Sequence, residues 1–428
     1  MEKLMQYVWQ HRLWRQNDMR TVDGRRVQVI DPGRLNTDAG PDFFNAKICI
    51  DGRMWAGNVE IHFKASDWHR HGHSSDSAYD SVVLHVVDRD DAVIRRRDGQ
   101  IIPQLRMPCA SDLHIKYGAL VGAADRGLPC AAAIKDMPPV YLTDWISTLG
   151  FERLYNKAER LEDTRRRFGG DWEQAVYVSV ARCLGFSTNS EPFERLAMSL
   201  PLMFIGKHAD SPLAVEALLF GQSGLLDKYK DTDPYAARLG REYAFLAHKF
   251  GLRAPESLGW KMARMRPANF PYRRIAVLAA MLRSGFRMTS RLLAIRTIDD
   301  AMTIFNPPME SYWATRYAFG QAGERQLRAM SRESVIIMTI NCVAPLMMAY
   351  GTLHGDTSLT DRASDLLHSL PAESNSIVTM FESSGMHASD AFTSQAMVEL
   401  RRCYCEQRKC LYCRIGHRML AENARRKE

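Results

Sequence analysis

The spacing of apolar residues changes from helical to alternating within the first 108 residues. Leu4 and Val8, and likewise Met5 and Trp9, lie four positions apart, which predicts an amphipathic helix over residues 1–14. Short runs rich in β-branched residues follow, separated by turn-forming residues, and each run predicts a strand. The predicted strands are Val27–Ile30, Ala46–Ile50, Trp55–Phe63 and Val82–Val87.

Two short segments connect these strands. Asp51-Gly52 is typical of tight turns, so the second and third strands are predicted to form a hairpin. Residues 76–80 predict a short helix before the last strand. The order of helix, three strands, helix and strand predicts an α+β domain over residues 1–108.

A different pattern begins after residue 108. A stretch rich in alanine, glycine and proline predicts a linker over residues 109–140. In the segment Phe151–Phe168 apolar residues share one face, and Asp171 is placed to cap the next helix. Further helices are predicted near residues 190–200, 211–220, 233–251, 272–284, 330–350, 358–370 and 388–404. Residues 141–402 are therefore predicted to be an all-α domain, followed by a cysteine-rich segment over residues 403–428.

Composition places the chain among globular proteins. Its 428 residues are 46% hydrophobic and 25% charged, which is enough for two domains. The longest apolar run, Val335–Tyr350, is shorter than the ~20 residues of a membrane span, so it predicts a buried helix that is kinked or ended at Pro345. Nine cysteines without an export signal favour the cytoplasm, and no membrane partner is expected. The net charge of +8 favours contact with a polyanion such as nucleic acid, whereas nothing indicates an oligomeric state.

The predicted hairpin carries ionisable side chains on one face. Because side chains alternate along a strand, Glu60, His62 and Lys64 share one face of the third strand. Asp42, at the start of the preceding strand, can supply a second carboxylate. A phosphodiester hydrolase needs carboxylates to hold Mg²⁺ or Mn²⁺ and a basic group to orient or deprotonate water. Asp42 and Glu60 are therefore predicted metal ligands and catalytic residues, with His62 or Lys64 as the basic group.

A second metal site is suggested by the sequence DWHRHGH. His69, His71 and His73 alternate close to Asp67, a density of imidazoles that suits a transition metal. Histidines in a polar loop are also commonly solvated or hydrogen-bonded. A hydrolase of small substrates built on them requires the imidazoles to converge with Asp67 or Glu60.

The C-terminal segment CYCEQRKCLYCRIGH concentrates thiols. Cys410 and Cys413 have the two-residue gap of a metal-binding knuckle, and Cys405 can close the loop. The fourth ligand is Cys403, His417 or a residue from elsewhere in the chain. The prediction is a structural Zn²⁺ site, with an iron–sulfur cluster as the second choice and uncoordinated thiols as the alternative.

One basic segment interleaves aromatic residues with arginines. The segment Trp260–Arg274 contains Arg264, Arg266, Arg273 and Arg274, whose guanidinium groups can meet phosphates while aromatic rings stack on bases. The same pattern also suits an irregular loop that leads into a helix, with the arginines paired inside the protein. These four arginines are the predicted nucleic-acid contacts.

The hairpin residues resemble the motif of the PD-(D/E)XK nuclease superfamily. Pro41-Asp42 and Glu60-Ile61-His62 occupy the places of that motif, and the order of helices and strands matches. The resemblance implies a restriction-endonuclease-like mixed sheet and metal-dependent cleavage of nucleic acid. This chain departs from the motif at His62, where the superfamily usually has lysine, while Lys64 stands one side-chain repeat further along.

A second resemblance spans essentially the whole chain. The stretches GPDFFNAKICIDGRMWAGNVEIHFKASDWHRHGH, VVLHVV, EALLFGQSGLL, RPANFP and CEQRKCLYCRIG are similar to an uncharacterised bacterial family, a domain of unknown function numbered 2851. This family implies no substrate or catalytic residue. The predicted function therefore rests on the hairpin residues, and it is that of a metal-dependent nuclease. The alternative is a non-catalytic nucleic-acid-binding or scaffolding protein with a structural metal site at its C-terminus. In that case Glu60 and Lys64 would form only a charge ladder on the hairpin.

Overall fold

A computed structural model describes residues 1–14, 18–107, 111–122, 127–283 and 287–425. The chain forms two compact units. The first unit combines Met1–Trp145 with Thr379–His387 and Leu400–Glu428, and the second combines Ile146–Val378 with Ala388–Glu399. The first unit therefore contains both ends of the chain.

A mixed sheet forms the centre of the first unit, as predicted for the N-terminal part. Its strands are β1 (Met19–Arg20), β2 (Arg26–Asp31), β3 (Arg34–Leu35), β4 (Phe43–Ile50), β5 (Arg53–Lys64), β6 (Val82–Arg89) and β7 (Gln104–Arg106). The strand order is β1-β2-β4-β5-β6-β7, with β3 paired to β4. Strands β2, β4 and β5 are antiparallel, whereas β5, β6 and β7 are parallel to one another.

The predicted hairpin turn is confirmed. Asp51 and Gly52 both have positive φ, at 48° and 80°, which matches the right-handed twist of the two strands that they join. In the resulting register Phe43 lies opposite Val59, with an irregularity before Ala46. The turn therefore fixes which residues at the far end of the hairpin face each other.

The chain crosses from β5 to the parallel strand β6 through a short helical connection. This connection contains a one-turn helix, Asp67–Arg70, and a 3₁₀ turn, Ser77–Tyr79, where residues 76–80 had predicted a helix. The N-terminal helix, Glu2–Gln10, contacts β5 and is shorter than the predicted 1–14. Its buried Trp9 joins a core that also includes Leu411 and Leu420 from the end of the chain.

Helices make up most of the remaining structure, which confirms the predicted helical character of the C-terminal part. They are α1 (Glu2–Gln10), α2 (Asp67–Arg70), α3 (Ser111–Gly122), α4 (Ala131–Lys135), α5 (Pro139–Arg167), α6 (Trp172–Leu184), α7 (Ser190–Ser199), α8 (Leu202–Gly206), α9 (Pro212–Gln222), α10 (Pro234–Phe250), α11 (Pro271–Arg283), α12 (Met288–Leu293), α13 (Ile298–Phe305), α14 (Arg332–Met338), α15 (Ala344–His354), α16 (Thr357–Ser369), α17 (Ser376–Ser383), α18 (Ala391–Glu399) and α19 (Arg414–Arg425). The predicted cap is present, since the Asp171 side chain accepts the amide of Gln174 at the start of α6. A small two-stranded sheet, β8 (Arg316–Ala318) with β9 (Gln321–Ala322), interrupts the helices of the second unit.

The boundaries of the units differ from those drawn from the sequence. Within the predicted linker 109–140 the structure has helices α3 and α4, and residues 109–110 and 123–126 lie outside the described residues. The cysteine-rich segment belongs to the first unit, although most of the second unit lies between it and Met1–Trp145 in the sequence. Hydrophobic spacing does not reveal such a return, because it reports local structure only.

The longest apolar segment is a core helix. Arg332–His354 is long and apolar enough to cross a membrane by composition, yet 72% of its apolar window is buried inside the protein, as in the core helix of a soluble protein. A π-helical stretch, Thr339–Val343, precedes Pro345 and lets the helix continue through it. The prediction of a buried helix is confirmed.

The second unit contains a buried carboxyl group that predicts a pH dependence of stability. Glu216 is buried and accepts hydrogen bonds from Trp313 Nε1 at 2.7 Å and the Tyr235 hydroxyl at 3.0 Å. Burial raises the pKa of Glu216 to about 7 despite these hydrogen bonds. The folded protein therefore binds a proton that the unfolded chain releases near pH 4.5, so the contribution of Glu216 to stability is lost as the pH rises towards 7.

Replacing Glu216 with glutamine is expected to remove this dependence. Between pH 5 and pH 7, the wild type should lose about 2 kcal/mol of unfolding free energy relative to the variant, in proportion to the pKa shift. Urea unfolding of both proteins at several pH values measures the difference, and groups common to both cancel. If the unfolding free energies of the two proteins changed with pH in parallel, the pKa of Glu216 would be the same in the folded and unfolded states, and the prediction would be wrong.

Candidate metal centre in the first unit

Asp42 and Glu60 lie side by side on the paired strands β4 and β5. The register that places Phe43 opposite Val59 also places Asp42, one residue before β4, opposite Glu60. The Asp42 amide donates a 3.0 Å hydrogen bond to Glu60 Oε2, and the Ile61 amide donates a 3.0 Å hydrogen bond to Asp42 Oδ2. Gln6 Nε2 donates to Asp42 Oδ1 at 2.8 Å. The hairpin thus brings the two predicted carboxylates together and fixes both of them.

His62 is the next residue on the same face of β5, and it joins a row of imidazoles. Its Nδ1 lies 2.9 Å from His85 Nε2, and its Nε2 lies 3.1 Å from His71 Nδ1. The parallel register pairs Glu60 with His85, so His85 occupies the same face one strand further along. His62 is therefore held from behind by His85, while its other nitrogen faces the connection between β5 and β6.

The connection after α2 brings two more histidines to this face. Gly72 has a φ of 77°, a conformation that suits glycine, and it reverses the chain between His71 and His73. The His73 ring stacks on Tyr79, with 3.8 Å between the ring centroids, and also stacks on His62 at 5.3 Å. The loop is thus folded back over the sheet by aromatic packing.

The donor atoms of these residues converge. His62, His71 and His73 offer nitrogens that all lie within 4.8 Å of one another. Glu60 Oε1 lies 3.4 Å from His62 Nε2 and 3.5 Å from His73 Nε2. Glu60 and His62 are buried, His73 is partly buried and His71 is exposed. The group is consequently enclosed on the sheet side and reaches the surface at His71.

Burial controls the protonation of this group. It lowers the pKa of His62 to about 3, with further lowering by His73 and His71. Burial also lowers the pKa of His85 well below its usual range, and His62 adds to this effect. Burial and the neighbouring charge of Glu60 raise the pKa of Asp42 to about 7. His62 and His85 are therefore neutral at physiological pH, which leaves a nitrogen lone pair on each ring.

Three residues that the sequence analysis considered for the metal site lie outside the convergent group. The Lys64 side chain is exposed at the end of β5, where it lowers the pKa of Asp91, after the larger effects of the Ser66 hydrogen bonds. His69 Nδ1 bonds Ser74 Oγ at 3.1 Å, away from the convergent group. Asp67 is buried and accepts the Lys64 amide, so it organises the start of α2.

His85 is the member of this group that sequence reasoning missed. The only signal was one histidine in the otherwise apolar run VVLHVV, a pattern that usually means a histidine packed in the core. Its Nδ1 is buried and has no hydrogen-bond partner among the described residues. The contact of its Nε2 with His62 and the edge-on packing of its ring against Trp68 hold His85 between the site and the core.

The four predicted cysteine ligands lie in the C-terminal part of the first unit. Cys403 and Cys405 are in a π-helical segment, Leu400–Cys405, and Cys410 and Cys413 precede α19. Cys413 is buried and the other three are partly buried. Cys405, Cys410 and Cys413 are free thiols in this structure.

The basic segment of the second unit divides into two parts. Arg264 and Arg266 are exposed, in keeping with a surface role, whereas Arg273 and Arg274 are each only 1% exposed at the start of α11. The Arg274 guanidinium lies over the Phe186 ring at 4.4 Å and donates to Asn269 Oδ1 at 2.7 Å. Arg273 and Arg274 are therefore structural, and their prediction as nucleic-acid contacts is corrected by this burial.

Comparisons with known proteins give one family. Its model, described as a protein of unknown function (DUF2851), matches residues 2–376. No curated protein and no solved structure gives a significant match. The family match covers most of the chain, including every residue of the convergent group, while the C-terminal cysteines lie beyond it.

Proposed function

The chain belongs to this family of proteins of unknown function, and we propose that it is a metal-dependent phosphodiesterase whose ion is held by Glu60, His62, His71 and His73. The observation that supports the proposal best is the spacing of the donor atoms. Protein nitrogens and oxygens bind such ions at about 2.0–2.2 Å, so neighbouring ligands of one ion are about 3.3 Å apart. The distances of 3.1, 3.4 and 3.5 Å among these residues agree with that value.

The donor set favours a transition metal over the Mg²⁺ that the hairpin alone suggested. Imidazole nitrogens suit zinc, iron and similar ions, whereas Mg²⁺ prefers oxygen ligands. Four protein ligands close a tetrahedral zinc site, but they leave free positions on an ion that accepts five or six ligands, such as Mn²⁺. Mn²⁺, which the sequence analysis also named, is therefore the proposed catalytic ion.

The surrounding residues orient the ligands. His62 can donate its Nδ1 proton to His85 and present Nε2, an arrangement that fixes the tautomer of a metal-binding histidine. The Asp42 amide holds Glu60 Oε2, so Oε1 faces the imidazoles. In this proposal Asp42 is a positioning residue for Glu60 as well as the neighbouring carboxylate expected from the sequence.

Phosphodiesters are the proposed substrates because of the charges near the exposed side of the site. Arg70 is exposed next to His71, where it pairs with Asp67 at 2.9 Å, and Lys64, which lies outside the convergent group, lines the cleft beside Arg70. Lys64 is also paired in register with Arg89 at the end of β6. A bound divalent cation supplies a Lewis acid and lowers the pKa of a water molecule. The exposed cations would bind the phosphate, and the neutral His62 has no proton on the nitrogen that would bind the ion.

The order of elements also supports a nuclease. Helix α1 is followed by the antiparallel strands β2, β4 and β5, and then by a helical crossover to the parallel strand β6. This is the order that the PD-(D/E)XK resemblance implies, with Asp42 and Glu60 at the corresponding strand positions. A hydrolase of small substrates is a second candidate, because two of the three histidines of that hypothesis, His71 and His73, converge with Glu60, although His69 does not.

A comparison of two exposed histidines tests the proposal. His71→Ala is expected to lower the affinity for Mn²⁺ more than about 100-fold and to abolish cleavage, since it removes one ligand of the ion. His69→Ala is the matched control, because His69 lies two residues before His71 and its side chain hydrogen-bonds Ser74, outside the convergent group. Metal content and the Mn²⁺-dependent rise in melting temperature report binding separately from activity.

The substrate is identified with single- and double-stranded DNA and RNA and with a small aryl phosphodiester. Cleavage of nucleic acid with Mn²⁺, lost in His71→Ala and Glu60→Gln but kept in His69→Ala, would support the nuclease. Cleavage of the small ester alone would favour the second candidate. Metal binding without any cleavage would contradict an enzymatic role, and equal metal binding in all variants would contradict the site itself.

A further inference from the structure

A polar cleft lies beside the metal centre, on the same face of the sheet. Its volume of about 630 Å³ is within the range of small-ligand sites. Asn58 lines this cleft and precedes Glu60 by two residues on β5. The two side chains therefore share one face of the strand, about 6–7 Å apart. A ligand bound at Glu60 can thus extend directly into the cleft.

Two irregularities of the sheet shape the cleft. On one side of β5, strand β4 carries an extra residue between Phe43 and Ala46, because their partners Val59 and Gly57 are only two residues apart. On the other side, β6 carries an extra residue opposite the step from Asn58 to Val59. Bulges of this kind bend a strand, re-aim its side chains and are frequent next to active sites. Both strands that neighbour β5 therefore bend where the cleft lies.

Side-chain hydrogen bonds hold the walls of the cleft in place. Asn58 Oδ1 accepts the Asn45 amide at 3.2 Å, and Asn58 Nδ2 donates to Ser81 Oγ at 2.8 Å. On the opposite wall the Asn36 amide donates to the Asp42 carbonyl at 2.7 Å, while Asn36 Nδ2 donates to carbonyls of its own loop. The cleft is therefore preformed, and its wall is bonded to the segment that presents Asp42.

The groups that line the cleft suit a nucleotide. Phe44 is 36% exposed and offers an aromatic ring on which a base can stack. Arg34, which is exposed and paired with Phe44 in register, offers a guanidinium to a phosphate. Asn45 and Asp38 are exposed and carry amide and carboxylate groups, which bind the edges of bases. A stacking surface, a cation and polar groups thus lie together in one cleft.

We propose that this cleft is a nucleobase subsite for single-stranded DNA or RNA, which holds the base beside the scissile phosphate against Phe44 and Asn45. A base can stack on a protein ring only when it is not stacked within a duplex, so the substrate is single-stranded or locally unpaired. Along β5 the cleft precedes Glu60 and Lys64 follows it, so a strand that reaches both crosses the metal centre. The inference rests on the proposed phosphodiesterase function and adds the class of nucleic acid.

Binding measured without cleavage tests the subsite separately from that function. With EDTA in place of metal, the full chain is titrated against short fluorescent single strands of DNA and RNA and against an abasic strand with the same number of phosphates. The wild type is expected to bind a base-bearing strand about tenfold more tightly than the abasic strand, because only bases can stack. Phe44→Ala should lose this preference, whereas Phe44→Trp should keep it.

Two further variants sharpen this test. Asn45 has a φ of 56°, which glycine adopts without strain, so Asn45→Gly removes the side chain and keeps the backbone conformation. This variant should also weaken the preference for the base-bearing strand. Met54→Ala is the matched control, because Met54 is an exposed apolar residue near the other end of β5 and should not affect binding.

The proposal fails if the wild type binds both strands equally, or if Phe44→Ala and Asn45→Gly keep the preference. It also fails if Met54→Ala loses the preference to the same degree. Circular dichroism shows whether each variant is folded, and Asn45→Gly decides the question should Phe44→Ala not fold. Base-dependent binding without any cleavage in Mn²⁺ would overturn the phosphodiesterase but leave the nucleobase site. Cleavage without base-dependent binding would overturn the subsite alone.

Discussion

Replacing Arg273 with methionine is expected to lower the free energy of unfolding by about 3–5 kcal/mol, one of the largest effects of any single change in the second unit. The Arg273 guanidinium is buried and donates to four backbone carbonyls, those of Trp313, Arg316, Leu327 and Arg328. These carbonyls belong to a region that is mostly irregular, where the backbone makes few hydrogen bonds of its own. Methionine fills a similar volume but leaves the carbonyls without donors.

The control for this change is Arg266→Met in the same basic segment. Arg266 is exposed, so its replacement should alter stability by less than about 0.5 kcal/mol. Denaturant unfolding of both variants measures the difference. The free energy of unfolding of Arg273→Lys should fall between those of the two methionine variants, because one ammonium group cannot donate to as many carbonyls as the planar guanidinium does. If Arg273→Met were as stable as Arg266→Met, the structural role assigned to this guanidinium would be wrong.

Alanine at Gly221 is expected to cost about 3 kcal/mol through a steric clash. Gly221 lies in α9, where an added Cβ would be 2.0 Å from Cγ of Tyr243 in the neighbouring helix α10. The ring cannot swing away freely, because the Tyr243 hydroxyl donates a 2.8 Å hydrogen bond to Gln222 Oε1. Relief of the clash must therefore separate the helices or break this hydrogen bond.

Gly240→Ala is the matched control for that clash. Gly240 lies within α10, and a Cβ there would meet nothing within 4 Å. Since alanine favours a helix over glycine, this variant should be more stable than the wild type by about 0.5–1 kcal/mol. The two melting temperatures should thus move in opposite directions. A shift of the same sign for both would mean that helix propensity, and not contact with Tyr243, decides the effect at Gly221.

The hairpin was the part of the site that the sequence predicted best. Alternation of side chains assigned Glu60 and His62 to one face, and the Asp51-Gly52 turn fixed the register that sets Asp42 opposite Glu60. Both signals are local, because they depend on residues close together in sequence. The sequence also named His71 and His73, but as a separate hypothesis. Their approach to Glu60 depends on how the crossover folds back over the sheet.

The long-range parts could not be predicted in this way. The place of the cysteine-rich segment in the first unit gave no local signal, because most of the second unit lies between it and the sheet in the sequence. Likewise, the arginines at positions 273 and 274 have the composition of a nucleic-acid contact, yet carbonyls and a ring enclose them inside the second unit. Burial is decided by the tertiary structure, and charge alone does not reveal it.

The return of the chain to the first unit has a consequence for its biosynthesis. The core beneath the sheet uses Leu411 and Leu420, which leave the ribosome only after the whole second unit has been made. Part of the apolar surface of helix α1 and the sheet therefore stays exposed while the intervening residues are translated. We therefore expect nascent chains that stop before residue 400 to engage chaperones through their N-terminal portion, even though no N-terminal residue has been changed.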